Sequence, residues 1–273
     1  MTAPSKPNAL MAGKKGLIMG VANDRSIAWG IADILHRHGA EMAFTYQGET
    51  LAKRVRPLAE GIGSTLVLPC DVEDGASMDA VFAAIKADWG RLDFFVHAIA
   101  YSDKDQLKGR YLDTTRDNFS RTLDISCYSF TALAQRAAPL MSEGGGLITL
   151  TFFGAHRVVP NYNVMGVAKA ALEASVKYLA VDLGPKNIRV NAISAGPMRT
   201  LAGSAIAGAR HIYRWSEDNA PLQRSVQMDD VGGAALYLLS DLANSVTGEI
   251  HHVDCGYNIL GIPAAPNNSR ENS

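Results

Sequence analysis

KGLIMGVANDRSIAWG, residues 15–30, decides the fold. Its first five residues indicate a strand, Gly20 opens a turn, and Ser26 lies where the following helix would have its N-cap. A strand, a glycine turn and a helix start bring backbone N–H groups to one point, which is what a pyrophosphate group needs. The usual G-x-G-x-x-G spacing is absent, so this segment alone fits an ordinary turn between strand and helix equally well.

Short apolar runs alternate with longer amphipathic stretches, which predicts parallel strands linked by helices. Strands are expected at residues 15–19, 41–45, 65–68, 93–98, 147–151, 189–193 and 249–253. Helices are expected at residues 26–38, 49–60, 74–89, 116–141, 162–183 and 229–239. We therefore predict an α/β fold, a Rossmann-like doubly wound seven-stranded parallel sheet with helices on both faces. Its ligand would bind at the carboxyl ends of the strands.

Composition narrows the class of protein. The chain has 273 residues, 47% of them hydrophobic, and a net charge of −1, so it can bury a sizeable core and has no basic excess for nucleic acid. Its three cysteines and scattered histidines lack the spacing of a disulfide framework or a metal site. With no signal peptide and no apolar run long enough for a membrane span, we expect a cytoplasmic protein. One domain is expected at residues 13–262, with disordered tails at residues 1–12 and 263–273.

A tyrosine and a lysine stand seven residues apart in PNYNVMGVAKAALEA, residues 160–174. Seven residues are about two helical turns, so Tyr162 and Lys169 would face one side of a helix. The phenol can donate to a carbonyl oxygen that gains negative charge, and the ammonium can hold ribose hydroxyls. Taken alone, a packing aromatic residue and a solvated lysine are the commoner explanation. ISAGP at residues 193–197 favours the functional interpretation, because a loop after the sixth strand would close over a cofactor.

Adenosine contacts are expected where the second and third strands end. Asp71 and Val72 follow the third strand, where a carboxylate can accept from an adenine amino group and a valine can pack on the ring. A helix-capping role for Asp71 is equally compatible. Gln47 follows the second strand, where an acidic residue would bind both ribose hydroxyls and an arginine would favour a 2′-phosphate. Lys53 and Arg54 lie only further along, and we favour NADH over NADPH.

Four segments together resemble the bacterial enoyl-acyl-carrier-protein reductases, the divergent branch of the short-chain dehydrogenase/reductase family. They are GVANDRSIAWG at residues 20–30, DISCYSF at 124–130, the Tyr-x6-Lys pair, and NAISAGPMRTLA at 191–202. Ordinary members of the wider family have Tyr-x3-Lys, whereas here the residue four after Tyr162 is Gly166. The resemblance extends over residues 13–262.

The resemblance implies an activity and a set of roles. An NADH-dependent enzyme would reduce the trans-2 double bond of enoyl thioesters on acyl carrier protein in fatty acid elongation, as a homotetramer. Tyr162 would contact the thioester carbonyl, and Ser102 would contact the substrate. Cofactor contacts would come from Gly20, Ser26, Ile27, Gln47, Asp71, Val72, Ile99, Lys169, Met198, Arg199, Thr200, Leu201 and Ala202.

Two residues depart from the family pattern. A second tyrosine usually stands ten residues before the main one, and this chain has Phe152 there, as mycobacterial-type relatives do. Phe152 removes one donor from the catalytic site and makes the pocket more apolar. Ala100 stands where glycine is common, and its methyl group would narrow the space beside the nicotinamide. The alternatives are a ketoreductase or alcohol dehydrogenase of the wider family, and a cofactor-binding protein with little turnover.

The segment LAGSAIAGARHIYRW, residues 201–215, is expected to be a flexible substrate loop because many of its residues are small. Arg210, His211 and Arg214 form a modest basic cluster within it. Such a cluster can dock an acidic carrier protein by electrostatic steering, although a solvated helix face is the commoner explanation.

Overall fold

The computed structural model of the chain describes residues 9–201, 203 and 207–262. Its strands are β1 Lys15–Met19, β2 Glu41–Tyr46, β3 Val67–Pro69, β4 Phe94–His97, β5 Gly145–Thr151, β6 Ile188–Ala195 and β7 Ile250–Val253. They form one sheet in the order β3-β2-β1-β4-β5-β6-β7, and every neighbouring pair is parallel. The strand order reverses between β1 and β4. The predicted Rossmann-like doubly wound sheet of seven strands is therefore confirmed.

Helices cover both faces of this sheet. They are α1 Ile27–Arg37, α2 Gly48–Gly61, α3 Gly75–Trp89, α4 Arg116–Leu123, α5 Ser129–Ala137, α6 Asn163–Leu183, α7 Ala209–Asn219 and α8 Met228–Leu239. Buried residues of α1, α2 and α8 form one core, and those of α3, α5 and α6 form a second. Successive side chains of a strand point to opposite faces, so Ile18 lies in the first core while Leu17 and Met19 lie in the second. Among the described residues, no helix is long and apolar enough to cross a membrane.

The N-terminal boundary differs from the expected one. Met11, which we assigned to the N-terminal tail, is fully buried in the core beside α1. Its backbone N–H donates to the carbonyl oxygen of His38 at 3.0 Å. The packed chain therefore begins before residue 13, because an apolar side chain there completes the core. The rest of the two expected tails, residues 1–8 and 263–273, lies outside the described residues.

The expected flexible loop at residues 201–215 is wrong in its second half. Helix α7 occupies Ala209–Asn219, with Ala209, Tyr213 and Ser216 buried on one side. This spacing of buried residues has helical period, and it begins only after the run of small residues. Residues 202 and 204–206 of that run lie outside the described residues.

The single helix expected at residues 116–141 is interrupted. Between α4 and α5 the chain forms a π turn, Asp124–Tyr128, and after α5 it ends in a 3₁₀ turn, Ala138–Leu140. The hydroxyl group of Ser126, in the π turn, accepts from the Tyr101 N–H at 2.9 Å and donates to the Tyr101 carbonyl at 3.0 Å. Such π turns are common at functional sites. Here the turn ties the helix to the loop after β4.

Candidate active site

The chain turns sharply at Gly20, directly after β1. Gly20 has φ +99°, and a Cβ atom there would lie 2.1 Å from the carbonyl oxygen of Ala98, the residue after β4. Only glycine therefore allows the ends of β1 and β4 to approach so closely. Helix α1 starts at Ile27, and its first turn leaves N–H groups without intrahelical partners. This crevice, where the strand order reverses, has the features that a pyrophosphate requires.

Ser26 shapes the loop between β1 and α1. Its Oγ atom accepts from the backbone N–H groups of Ala22 at 2.9 Å and Asn23 at 3.1 Å. Ser26 is the N-cap residue, as expected, but its side chain makes no capping hydrogen bond to α1. The side chain therefore closes the loop on itself, so the shape of the cradle does not depend on a ligand.

The residues expected around an adenosine lie at the ends of β2 and β3, which are neighbours in the sheet. Gln47 is exposed at the N-cap of α2, and Val72 is half-buried. The Asp71 carboxylate accepts from the backbone N–H two residues further on, at 3.0 Å. Asp74, and not Asp71, caps α3. The capping alternative for Asp71 is therefore wrong, because its carboxylate closes a turn after β3.

Tyr162 lies at the N-cap of α6, and its ring is buried. The ring packs edge-on against Phe152 with centroids 5.2 Å apart, and a Cβ atom on Gly154 would come within 2.4 Å of it. No described residue makes a hydrogen bond to the Tyr162 hydroxyl. Burial, and then the charge of Glu173, raise the pKa of Tyr162 above its ordinary value. The phenol therefore keeps its proton at neutral pH and can donate it in a hydrogen bond.

Lys169 is buried two turns further along α6. Its Nζ atom donates to the carbonyl oxygen of Leu150, near the end of β5, at 2.7 Å. Burial lowers the pKa of Lys169 to about 8, while Cys127 and Glu173 act in the opposite direction. The solvated lysine of the alternative explanation is therefore wrong. At neutral pH this side chain is mostly a cation held inside the protein.

Gly166 explains why the spacing is Tyr-x6-Lys. A Cβ atom at this position would lie 2.8 Å from the carbonyl oxygen of Gly154. The start of α6 packs directly on the 3₁₀ turn Phe153–Ala155, which follows β5. A lysine four residues after Tyr162 would clash with that turn, so the cation stands at residue 169.

The loops after β4 and β6 carry the remaining residues that we expect to contact the cofactor. Ile99 is half-buried directly after β4, and Met198 is buried after β6. Arg199 is exposed, and its guanidinium lies 3.6 Å from the Glu217 carboxylate on α7. The backbone N–H of Thr200 donates to the Met198 carbonyl at 2.9 Å. Leu201 is exposed, and Ala202 lies outside the described residues.

Ser102 is less accessible than a substrate contact would suggest. Its side chain is buried, and its Oγ accepts from the Thr122 hydroxyl at 3.0 Å and from the Asn118 amide at 3.2 Å. Thr122 itself is fully buried. The Ser102 hydroxyl is therefore engaged inside the protein.

Comparison with known proteins shows which family the chain belongs to. A family model described as enoyl-(acyl carrier protein) reductase matches residues 20–258, which is most of the chain. The chain belongs to the enoyl-acyl-carrier-protein reductase family.

Individual members of the enoyl reductase family are similar over nearly their whole length. An NADH enoyl-acyl-carrier-protein reductase of Rhizobium meliloti is 67% identical over 256 residues, which cover 94% of this chain and 96% of the relative. One of Rickettsia felis is 57% identical, covering 92% and 97%. The crystal structure of the Anaplasma phagocytophilum reductase in complex with NAD has a TM-score of 0.91 and 60% identity, covering 94% and 98%.

The sequence of this enoyl reductase family member did not indicate that two of its polar side chains are buried near the reacting pair. His97, at the end of β4, is fully buried between the Thr149 hydroxyl at 2.9 Å and the Ser129 hydroxyl at 2.8 Å. Burial, and then the charge of Lys169, lower the pKa of His97 to about 3, so its ring is neutral. Glu173, on α6, is also buried. A lone polar residue in an apolar stretch does not show from sequence whether it faces a site.

Proposed function

We propose that this chain reduces the trans-2 double bond of enoyl thioesters carried by acyl carrier protein, with NADH as hydride donor, in fatty acid elongation. The observation that carries the proposal is the pairing of Tyr162, a phenol without a hydrogen-bond partner among the described residues, with the buried ammonium of Lys169 on the same helix at the crevice. The NADH enzymes that share most of the chain's sequence support it.

NADH, when bound, supplies the hydride that goes to the β-carbon of the enoyl thioester. Negative charge then develops on the thioester oxygen, where the Tyr162 hydroxyl would donate a hydrogen bond and stabilise the enolate. Lys169 would hold the ribose hydroxyls and keep the local field positive. The enolate would take a proton from water at its α-carbon, which completes the reduction of the double bond. Phe152 supports the Tyr162 ring from its edge and offers no second donor.

The fit to the cofactor rests on the cradle at Gly20, which a Cβ atom would fill, and on the start of α1. The preference for NADH is supported by Arg56. Its guanidinium donates to the Tyr46 hydroxyl at 2.6 Å and stacks on that ring at 5.0 Å. This Arg56 guanidinium is engaged with the last residue of β2, and the next residue is the uncharged Gln47 and not an arginine that would favour a 2′-phosphate. We propose Gln47, Asp71 and Val72 as the adenosine contacts.

The assay that tests this function follows oxidation of NADH and of NADPH with short and long trans-2-enoyl thioesters, and with 3-ketoacyl thioesters. We expect NADH oxidation with the enoyl substrates. Faster oxidation with the 3-ketoacyl substrates would make the protein a ketoreductase. Tight NADH binding without turnover on any thioester would make it a cofactor-binding protein.

We further propose that the carrier protein docks on α7. Arg210, His211 and Arg214 are exposed there, and the two arginines are one turn apart on one face of the helix. An acidic partner would be steered to this surface.

Reversal of these charges tests the docking surface. The double substitution Arg210→Glu and Arg214→Glu should raise KM for carrier-bound substrate about tenfold at low salt, because attraction becomes repulsion. KM for a small thioester without carrier should stay unchanged. The matched control is Lys86→Glu with Lys186→Glu, which reverses two exposed charges elsewhere. An unaltered KM for the carrier-bound substrate would mean that α7 is only a solvated face.

We also propose a cytoplasmic homotetramer. Tyr128, Tyr178 and Val181 are exposed on the π turn and on α6, with Tyr178 77% and Val181 75% accessible. Large apolar side chains exposed close together support a subunit interface there. Light scattering after gel filtration should give four times the chain mass, and a monomer mass would contradict the proposal.

A further inference from the structure

Glu173 is a buried carboxylate that the proposed reaction does not use. It lies on α6 and is 4% exposed. One carboxylate oxygen accepts from the Thr151 hydroxyl at 2.7 Å, and the other lies 2.7 Å from Nε2 of His156. The His156 side chain is half-exposed, so it separates the carboxylate from water. A buried carboxylate is costly unless it is partnered, and here both oxygens have a partner.

Glu173 and Lys169 leave the same face of α6, because they are four residues apart. Both side chains reach the last two residues of β5. Lys169 donates to the carbonyl oxygen of Leu150, and Glu173 accepts from the hydroxyl of Thr151. The buried ammonium and the buried carboxylate are therefore hydrogen-bonded to consecutive residues of one strand, at its carboxyl end.

The charge of Glu173 acts on both groups of the reacting pair. It raises the pKa of Lys169, which burial lowers to about 8, and it adds to burial in raising the pKa of Tyr162. It thus favours the ammonium and the protonated phenol, which are the forms that donate hydrogen bonds.

The other titratable groups near Lys169 and Glu173 come from three neighbouring elements. His97 on β4 is neutral, because burial lowers its pKa to about 3. Cys127 in the π turn also raises the pKa of Lys169. His156 follows the 3₁₀ turn after β5 and pairs with Glu173 itself. Glu173 is therefore the carboxylate whose removal should be felt at Lys169.

We propose that Glu173 is a positioning residue for the reduction, whose carboxylate keeps Lys169 charged and aligned at the end of β5 so that the ammonium can hold the cofactor ribose. The proposal rests on the function proposed above for Lys169. It assigns to His156 and Thr151 the task of holding the carboxylate in place.

The substitution Glu173→Gln tests the proposal, because it keeps the size of the side chain and the acceptor for Thr151 but removes the charge. NADH affinity is measured by fluorescence titration across neutral and alkaline pH. In the parent, affinity should fall as pH rises through the pKa of Lys169, since the ammonium loses its proton and with it its charge. In the variant this fall should occur about one pH unit lower, because an opposite charge nearby has been removed.

Three comparisons separate charge from structure. Asp182→Asn removes an exposed carboxylate from the same helix, and its NADH affinity should fall at the same pH as in the parent. Glu173→Asp keeps the charge and should restore the parent's pH dependence even where affinity is weaker. Cys127→Ser measures how much the Cys127 thiol contributes to the pKa of Lys169. Affinity that is uniformly weaker in Glu173→Gln, with the fall at the parent's pH, would show a structural role only and overturn the proposal.

A second variant covers the case in which Glu173→Gln does not fold. Glu173→Leu combined with Thr151→Val replaces the carboxylate and the buried hydroxyl that donates to it by apolar groups, which proteins tolerate better than one orphaned buried partner, and leaves only the half-exposed His156 without the carboxylate. It must show the same shift to lower pH. A parent that fails to oxidise NADH with enoyl thioesters would refute the proposed function. A parent that does so, beside variants that show no shift, would refute only the role of Glu173.

Discussion

Burial has opposite effects on the two residues that the proposed reaction depends on. For Tyr162 it favours the protonated phenol, and for Lys169 it disfavours the ammonium. The phenol therefore needs no help to remain a donor, whereas the lysine does. The surroundings of Lys169 contain a buried carboxylate, Glu173, which has its own hydrogen-bond partners and whose charge favours the ammonium.

Replacing Tyr162 by phenylalanine should lower kcat about 100- to 1000-fold on an enoyl thioester, because one donor to the developing oxyanion is lost. The ring would keep its packing against Phe152 and Gly154, so the free energy of unfolding and the NADH affinity should change little. Steady-state kinetics and a fluorescence titration measure the two effects.

The control for that substitution is Tyr237→Phe, which removes a hydroxyl from an exposed position on α8. It should turn over at the parent rate. Turnover at the parent rate by Tyr162→Phe itself would deprive Tyr162 of its proposed role.

At the scale of elements, the crevice depends on two close approaches between pieces of the chain. Gly20 brings the turn after β1 against Ala98, and Gly166 brings α6 against the carbonyl of Gly154. In both places a Cβ atom would meet backbone, which cannot move aside as the end of a flexible side chain can. These glycines place the cradle and the reacting pair at the same edge of the sheet.

The substitution Gly20→Ala should lower the free energy of unfolding by about 1–3 kcal/mol from backbone strain alone. The collision with the Ala98 carbonyl adds to this, and separation of β1 from β4 should weaken NADH binding at least about tenfold, since the cradle is deformed. Urea unfolding and NADH titration check the two parts.

Gly63→Ala is the matched control, because Gly63 has φ +77° and a Cβ atom there would meet nothing within 4 Å. Gly63→Ala should lower the free energy of unfolding through backbone strain and leave the NADH affinity unchanged. Equal NADH affinity in both variants would mean that the contact at Gly20 does not shape the cofactor site.

At the scale of the whole molecule, His97 joins elements that are distant in sequence. It belongs to β4, its Nδ1 contacts Thr149 on β5, and its Nε2 contacts Ser129 on α5. Because the folded protein holds this ring neutral, the free energy of unfolding depends on pH wherever the unfolded chain would protonate it. Above its ordinary pKa of 6.5 the ring is neutral whether the chain is folded or unfolded. Below that value only the unfolded chain takes up the proton, until pH approaches the folded pKa of about 3.

Stability contributed by His97 is therefore present above pH 6.5 and is lost as pH falls towards about 3. The loss should approach about 1.4 kcal/mol per pH unit. His97→Gln should make the decline of unfolding free energy with falling pH shallower, as measured by urea unfolding at a series of acidic pH values. His36→Gln, at an exposed position on α1, should leave the slope of the parent. An unchanged slope in His97→Gln would show that the ring is not held neutral by the fold.

Much of the architecture was predictable because its signals are local. Each strand and helix has its own periodicity of apolar residues, so β1 was found with its bounds and α6 within one residue. The placement of Tyr162 and Lys169 on one face also follows from helical geometry alone. Helix α7 was missed because the run of small residues before it favours a loop, and the π turn was missed because a widened helical turn has no sequence pattern of its own.

What the sequence by itself determined was the kind and order of the elements, and from these the edge of the sheet at which a ligand binds. Only the tertiary structure showed that Met11 belongs to the core, that Asp74 caps α3 in place of Asp71, and that Glu173 is buried with Thr151 and His156 as its partners. The physical reason is the range of the forces involved. Periodicity acts between neighbours along the chain, whereas burial and charge act between residues that meet only after the sheet and helices have packed together.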